Sequence, residues 1–307
     1  MRIVFMGTPE FAVSSLRRLV EDGHEIVGVF TQPDKPGNRK RLTAPPVKDY
    51  ALSVGLPVYQ PESMRDPAAL ALLQGLTPEL TVVAAYGQIL PEAVLNVPPL
   101  GSINVHGSIL PKYRGAAPIN RAILNGERET GVTIMHMAKK LDAGDVISVR
   151  ATPIDPDEDA LQLFDRLAAL GASLLADTIP AIAAGTATRT PQNDAEATYA
   201  AMLSRDMSPI DWSKTAEETV DQIRALVPWP CATMALDGKT AKVWRAKRGG
   251  GTTDAPGTLR AVKGGIACAC GDGKCVVVTE VQSEGGKRMA ASAWLNGKRV
   301  APGTVIV

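Results

Sequence analysis

Arg2-Ile3-Val4-Phe5-Met6-Gly7-Thr8-Pro9-Glu10 decides the fold class. Residues 3–6 have the length and composition of a buried strand. They lead at once into a helix start. Thr8 is expected at the N-cap, Pro9 at the first helical position, and Glu10 in the first turn, where a carboxylate suits the helix dipole. The same alternation continues outward. Residues 25–30, 56–59, 80–85 and 102–106 read as strands, and 45–54 and 66–75 as helices. This predicts an α/β domain: a Rossmann-like, mostly parallel sheet with helices on both faces. Residues 130–137 and 146–154 are expected to pair. Residues 159–185 are expected to form a long amphipathic helix with Leu161, Phe164, Leu167, Leu170, Leu174 and Leu175 near one face.

The first turn carries only Gly7 where a G-x-G-x-x-G fingerprint needs three glycines, and no G-x-x-x-x-G-K-[ST] occurs. Nicotinamide, flavin and P-loop nucleotide chemistry are therefore not expected. The 307 residues are 45% hydrophobic and 21% charged, with a formal net charge of +1, and their number suggests two domains. Charge is uneven: residues 207–307 carry 14 Lys and Arg against 9 Asp and Glu, the rest 19 against 23. That leans toward a polyanion at the C-terminal part, although an ordinary soluble surface accounts for it equally well. No secretory signal and no apolar run of about 18 residues is read, so a cytoplasmic chain without a membrane span is expected. Its four cysteines, Cys231, Cys268, Cys270 and Cys275, should be reduced thiols. Cys268 and Cys270 alternate within an apolar run and read as small core residues rather than metal ligands, so no metal is expected.

Beyond residue 188 the pattern changes. Residues 189–206 are polar and read as a linker, and 216–226 as a helix. Short β patterns follow near 232–236, 242–245, 257–262, 265–270, 274–281 and 304–307. Asp237-Gly238, Gly249-Gly250-Gly251, Asp272-Gly273 and Gly285-Gly286 are expected as the turns between them. Strands at this spacing suggest a small C-terminal β-barrel (OB-like) over 207–307, after a domain over 1–188. Trp229, between Pro228 and Pro230, is expected as an interdomain or core packing residue.

The chemistry concentrates in Ser102-Ile103-Asn104-Val105-His106-Gly107-Ser108-Ile109-Leu110-Pro111-Lys112-Tyr113-Arg114-Gly115. In a strand, residues i and i+2 share a face, so Asn104 and His106 project together. An amide N–H can stabilise a carbonyl oxygen that is gaining charge. An imidazole can move a proton near neutral pH. Acyl-type transfer to an amine needs both, and a carboxylate usually orients the imidazole. Asp142, in Leu141-Asp142-Ala143-Gly144-Asp145, is a candidate. On these residues alone, a structural His106 and a simple turn around Gly144 are the commoner readings.

Asn104-x-His106, the run 108–118 and Leu141-Asp142-Ala143-Gly144-Asp145 together resemble the 10-formyltetrahydrofolate-dependent formyltransferase family. Gly7-Thr8-Pro9-Glu10-Phe11, Thr31-Gln32-Pro33-Asp34-Lys35, Pro228-Trp229-Pro230 and Pro302-Gly303-Thr304 extend the resemblance over the whole chain. The resemblance implies that Asn104, His106 and Asp142 are catalytic. It implies that Ser108, Ile109, Leu110 and Pro111 hold the co-substrate 10-formyltetrahydrofolate; Ile109 stands where Leu is usual. It also implies that initiator methionyl-tRNA is the acceptor and translation initiation the setting. A monomer is expected.

Residues 34–41 and Lys48 gather Lys35, Arg39, Lys40, Arg41 and Lys48 in a loop that Pro36 and Gly37 keep irregular. With the resemblance, this loop is expected to meet tRNA phosphates, Arg39 inserting among the bases. Lys242, Arg245, Lys247 and Arg248 are expected to track the tRNA backbone. A purine-pathway or sugar-nucleotide acceptor would use the same three catalytic residues. The basic loop and the small β domain favour tRNA over both. A tRNA-binding module without catalysis is disfavoured by the intact Asn104, His106 and Asp142.

Overall fold

The computed structural model describes residues 1–36, 42–296 and 304–306. The chain divides into two compact units. The first comprises Met1–Pro118, Thr130–Pro153 and Phe164–Ala200; the second comprises Ile119–Glu129, Ile154–Leu163 and Ala201–Val307.

In chain order the first half runs β1 (Arg2–Gly7), α1 (Glu10–Glu21), β2 (Glu25–Phe30), β3 (Lys35–Pro36), β4 (Leu42–Thr43), α2 (Pro46–Ser53), β5 (Val58–Tyr59), α3 (Pro67–Gly75), β6 (Leu80–Ala84), α4 (Glu92–Leu95) and β7 (Ser102–His106). Then follow β8 (Arg114–Gly115), α5 (Pro118–Leu124), β9 (Glu129–His136), β10 (Val146–Pro153), α6 (Ala160–Ala183) and β11 (Tyr199–Ala200). Seven strands form one sheet in the order β10-β9-β7-β6-β1-β2-β5. Pairings from β7 across to β5 are parallel, whereas β9 runs antiparallel to β7. The expected α/β domain is therefore present. Connections leave β1 toward β2 on one side and β6 toward β7 on the other, which makes the β1/β6 boundary the switch point where such sheets hold ligands.

Residues 3–6 are completely buried, as a strand covered on both faces requires. The expected N-cap at Thr8 does not form. Helix α1 starts one residue later, with Pro9 at the cap position and no side-chain cap. The Thr8 hydroxyl instead donates to the Tyr86 carbonyl at 2.8 Å and accepts from the Gln32 amide at 3.3 Å. It ties together the ends of β1, β2 and β6, a bond the local sequence could not reveal.

Helix α6 is long and apolar enough, by length and composition, to cross a membrane. Its apolar residues face protein: Leu163, Leu167, Leu174, Leu175, Ile179 and Ile182 are buried, and Gly171 approaches Val105 and Val132 too closely for a side chain. Leu161, expected on the inner face, is exposed. The inner stripe is thus offset from the one predicted.

The second unit contains α7 (Ala216–Ala225), β12 (Ala232–Leu236), β13 (Lys239–Gly251), β14 (Leu259–Val262), β15 (Gly265–Ala269), β16 (Lys274–Ser283), β17 (Met289–Ala290) and α8 (Ala291–Asn296). Thr215 and Glu218 close a reciprocal capping box at the start of α7. The sheet runs β12-β13-β16-β15-β14, with β17 beside β16, and every pairing between its strands is antiparallel. Trp212, Val220, Ile223, Val243, Ile266, Val278 and Trp294 belong to its single core, as do Cys268 and Cys270. Burial pushes both thiols up, away from the reactive thiolate form. Gly249-Gly250-Gly251 is not a turn but the end of β13. A side chain at Gly249 would press on the Cys275 carbonyl, so glycine there permits the close strand approach. Trp229 is not a core residue: 49% of it is exposed.

Candidate active site

Strand β7 puts Asn104 and His106 on one face, two residues apart. Both lie against β9, Asn104 opposite Met135 and His106 opposite Thr133. The turn after β9 folds back over them and brings Asp142 Oδ2 to 3.8 Å from His106 Nδ1. The three expected residues are thus collected in one unit, and each is nearly buried.

The imidazole is not oriented by the carboxylate, as expected, but by main chain. His106 Nε2 lies 2.9 Å from the Tyr113 carbonyl. A carbonyl only accepts, so Nε2 carries the proton and donates it. Nδ1 is left as the ring nitrogen facing Asp142. The carboxylate is held separately, Oδ2 accepting from the Gly115 amide at 2.8 Å. Tyr113 and Asp142 both have a left-handed backbone, with φ of 60° and 46°. Non-glycine residues in that region cost about 1–3 kcal/mol each and cluster at functional sites. Here both are spent on aiming groups at one imidazole.

The Asn104 carboxamide has no hydrogen-bond partner among the described residues, although the residue is 9% exposed. Its oxygen and nitrogen are not among the buried polar atoms left without a partner, so they keep contact with solvent. Its two N–H donors stand ready for an incoming carbonyl oxygen.

The loop 108–111 behaves differently from expectation in its side chains. Ser108 is fully buried and its hydroxyl donates to the Lys112 carbonyl at 2.7 Å. The Thr133 hydroxyl braces the loop from below, donating to the Ser108 carbonyl and accepting from the Leu110 amide. Leu110 is also buried, whereas Ile109 and Pro111 are partly exposed. Ser108 and Leu110 build the loop, leaving Ile109 and Pro111 as its accessible side chains.

Sequence reading missed two apolar residues nearby. Ile89, 70% exposed, sits in the turn after β6, and Leu141, 60% exposed, precedes Asp142. Their turns adjoin: Lys139 pairs with Glu92 at 3.7 Å, and Met137 packs on the cluster holding Tyr86 and Leu90. Leu141 could have been flagged as the one large aliphatic side chain in the polar run 138–145; Ile89 stands among other apolar residues, and nothing local marks it. A flat, partly apolar ligand beside an unpaired amide fits this composition.

The cations divide. Lys35 is exposed, with Nζ on the Gln32 side-chain oxygen at 2.5 Å. Lys48 is committed to Asp34 at 2.8 Å and to Gln60, so it anchors the base of the loop rather than serving it. Its ammonium and Gln60 hold the Asp34 carboxyl below the usual range. Arg39, Lys40 and Arg41 lie outside the described residues. On β13, Lys242, Arg245 and Lys247 are exposed and carry no ion pair among the described residues. Arg248 is instead locked to Glu217 through two bonds of 2.6 and 2.7 Å. That contact raises its own basicity and lowers that of Glu217.

A buried imidazole beside a carboxylate and a carboxamide, at the carboxyl end of a strand in an open α/β sheet, can polarise a carbonyl carbon and move a proton next to it. Residues 1–179 match the formyl transferase family and 202–299 its C-terminal domain; the chain belongs to the formyl transferase family. Within it the chain groups with the methionyl-tRNA formyltransferases. The protein of that name from Bacillus subtilis strain 168 is 47% identical over 308 aligned positions, covering 99% of this chain and 97% of its own. That from Halalkalibacterium halodurans is 49% identical, covering 97% and 95%. Among solved structures, an N-formyltransferase from Helicobacter canadensis, in complex with folinic acid and dTDP-3-aminofucose, superposes with a TM-score of 0.70 at 20% identity, covering 90% of this chain and 98% of its own. HypX from Aquifex aeolicus, in complex with tetrahydrofolic acid, gives 0.67 at 20% identity over 96% of this chain and 47% of its own. At such identity these two establish a shared fold.

Proposed function

We propose that this enzyme transfers the formyl group of 10-formyltetrahydrofolate to the α-amino group of methionine on initiator methionyl-tRNA. The observation that carries the chemistry is the unpaired Asn104 carboxamide beside an imidazole whose Nε2 is already fixed. The co-substrate supplies a formyl carbon on a nitrogen leaving group. Ile89 and Leu141 offer apolar surface to its fused ring, and the 108–111 backbone closes one side.

The α-amino group titrates near 7.7–8.0 when free, so a useful fraction is nucleophilic at neutral pH. The Asn104 amide donates to the formyl oxygen as it gains charge. His106 Nδ1, the nitrogen left free by the Tyr113 bond, takes the proton from the attacking amine and passes it toward the departing nitrogen. Asp142, 3.8 Å away, stabilises the ring while both nitrogens carry protons. This differs from an orienting role: Tyr113 orients and Asp142 balances charge.

We assign catalysis to the first part of the chain, up to about residue 188, and tRNA contacts to the loop from Lys35 and to Lys242, Arg245 and Lys247. The reading is tested by mixing enzyme, 10-formyltetrahydrofolate and charged initiator tRNA, with an amino-sugar nucleotide in a parallel assay. Formyl-methionyl-tRNA should form, and the sugar should remain unmodified; the reverse pattern would replace the acceptor. In the same preparation, log affinity for tRNA should fall linearly with log salt, by roughly 0.9 per phosphate neutralised. Substituting Lys242 with Ala should lower that slope by about one contact. A flat salt response would remove these cations from the interface.

A further inference from the structure

Gln192 lies between α6 and β11, and the mechanism above does not use it. All four of its hydrogen-bonding positions are nevertheless taken. Its Oε1 accepts from Arg114 Nε at 3.1 Å and Nη2 at 2.8 Å. Its Nε2 donates to the Asp142 carbonyl at 2.9 Å and the Gly144 carbonyl at 2.7 Å. Arg114 is fully buried (0% exposed), and its Nη1 pairs with Asp194 at 2.8 Å. Asp194, bonded to Lys140 and to Arg114, has its carboxyl held below the usual range.

The polarity of this arrangement is forced. A guanidinium has donors only, so the amide must turn its oxygen to Arg114. Its NH₂ is then aimed at two carbonyls in the Asp142 turn and cannot flip away. That turn needs support: Asp142 has φ of 46°, and a side chain at Gly144 would collide with the His136 carbonyl. The other hold on Asp142, the Gly115 amide, belongs to the residue after Arg114. Arg114 is itself fastened to the 192–200 segment by its amide, which donates to the Thr198 carbonyl at 2.9 Å. Arg114 thus links both holds on the Asp142 turn: its guanidinium fixes Gln192, which grips the turn's carbonyls, and its main chain leads directly into Gly115, whose amide holds the carboxylate.

We propose that Gln192, oriented by Arg114, is a positioning residue that holds Asp142 at its working distance from His106. This rests on the reading of Asp142 as the charge partner of the imidazole.

Gln192→Glu separates positioning from simple clamping. It keeps the length of the side chain and an oxygen for Arg114, and turns that contact into an ion pair. It also puts an acceptor in front of two carbonyls that need a donor. A mere clamp would be as good or better. A positioning role predicts that kcat falls about 10²-fold, since small misplacements near the chemistry cost that much. KM for both substrates should stay within about threefold. The variant is measured alone and combined with Asp142→Ala, with a melting curve to confirm folding. Because neighbours acting through one group do not add, the double variant should be no slower than Asp142→Ala. Wild-type kcat in Gln192→Glu, or a loss that multiplies that of Asp142→Ala, would overturn the proposal while leaving the role of Asp142 intact. Full turnover in Asp142→Ala would overturn that role and the proposal with it. If Gln192→Glu does not fold, Gln192→Met removes the donor without adding charge, and the same cycle is read by the same criteria.

Discussion

Replacing His106 with Ala lowers kcat for formyl transfer by about 10²–10⁴-fold, the range for losing a positioned proton carrier. The expected mark is a loss in kcat with little change in KM, because the ring acts on the proton in flight and not on either substrate at rest. The substitution also removes the hydrogen bond that His106 Nε2 makes to the Tyr113 carbonyl. Losing that hydrogen bond costs about 0.5–1.5 kcal/mol of stability, so the assay belongs well below the variant's unfolding temperature. The measurement is steady-state formylation at saturating substrates. A His106→Ala enzyme within about tenfold of wild type would show that the amine and the leaving nitrogen exchange their proton without the imidazole.

Replacing Asn104 with Ala lowers kcat by about 10²–10³-fold, the cost of one oxyanion donor. Stability should change little, since the carboxamide has no partner to lose among the described residues. That combination, a large kinetic effect with a small thermal one, distinguishes Asn104 from a core residue of equal burial. Asn104→Asp is isosteric but puts an acceptor where charge develops, so its loss should equal or exceed that of the alanine variant. Single-turnover formylation reads both. If Asn104→Asp retained activity, the carboxamide would not be the donor.

Much of this was legible in the residues because it depends on short-range rules. Residues 3–6 announce a buried strand, and the period-2 geometry of β7 puts Asn104 and His106 on one face without any tertiary knowledge. The same rule placed Cys268 and Cys270 in the core. What was not legible depends on distant partners. Thr8 looks like an N-cap until Tyr86 and Gln32 are brought to it. Lys48 and Arg248 look like free cations until Asp34 and Glu217 claim them. Residues 189–206 look like a linker because they are polar, yet Gln192, Asp194 and Thr198 are polar in order to bind the 113–115 turn and the Asp142 turn. Trp229 looks apolar enough for a core, but nothing in its own sequence reports that 49% of it stays exposed.

Whether imidazole and carboxylate work as one device is read most directly from kcat of the His106→Ala/Asp142→Ala double variant. If Asp142 matters only through the ring it faces, removing it from an enzyme already lacking that ring changes kcat by less than about threefold. Two losses that multiply in the double variant would mean that the carboxylate has a separate partner and that the 3.8 Å approach to His106 is not what makes it matter.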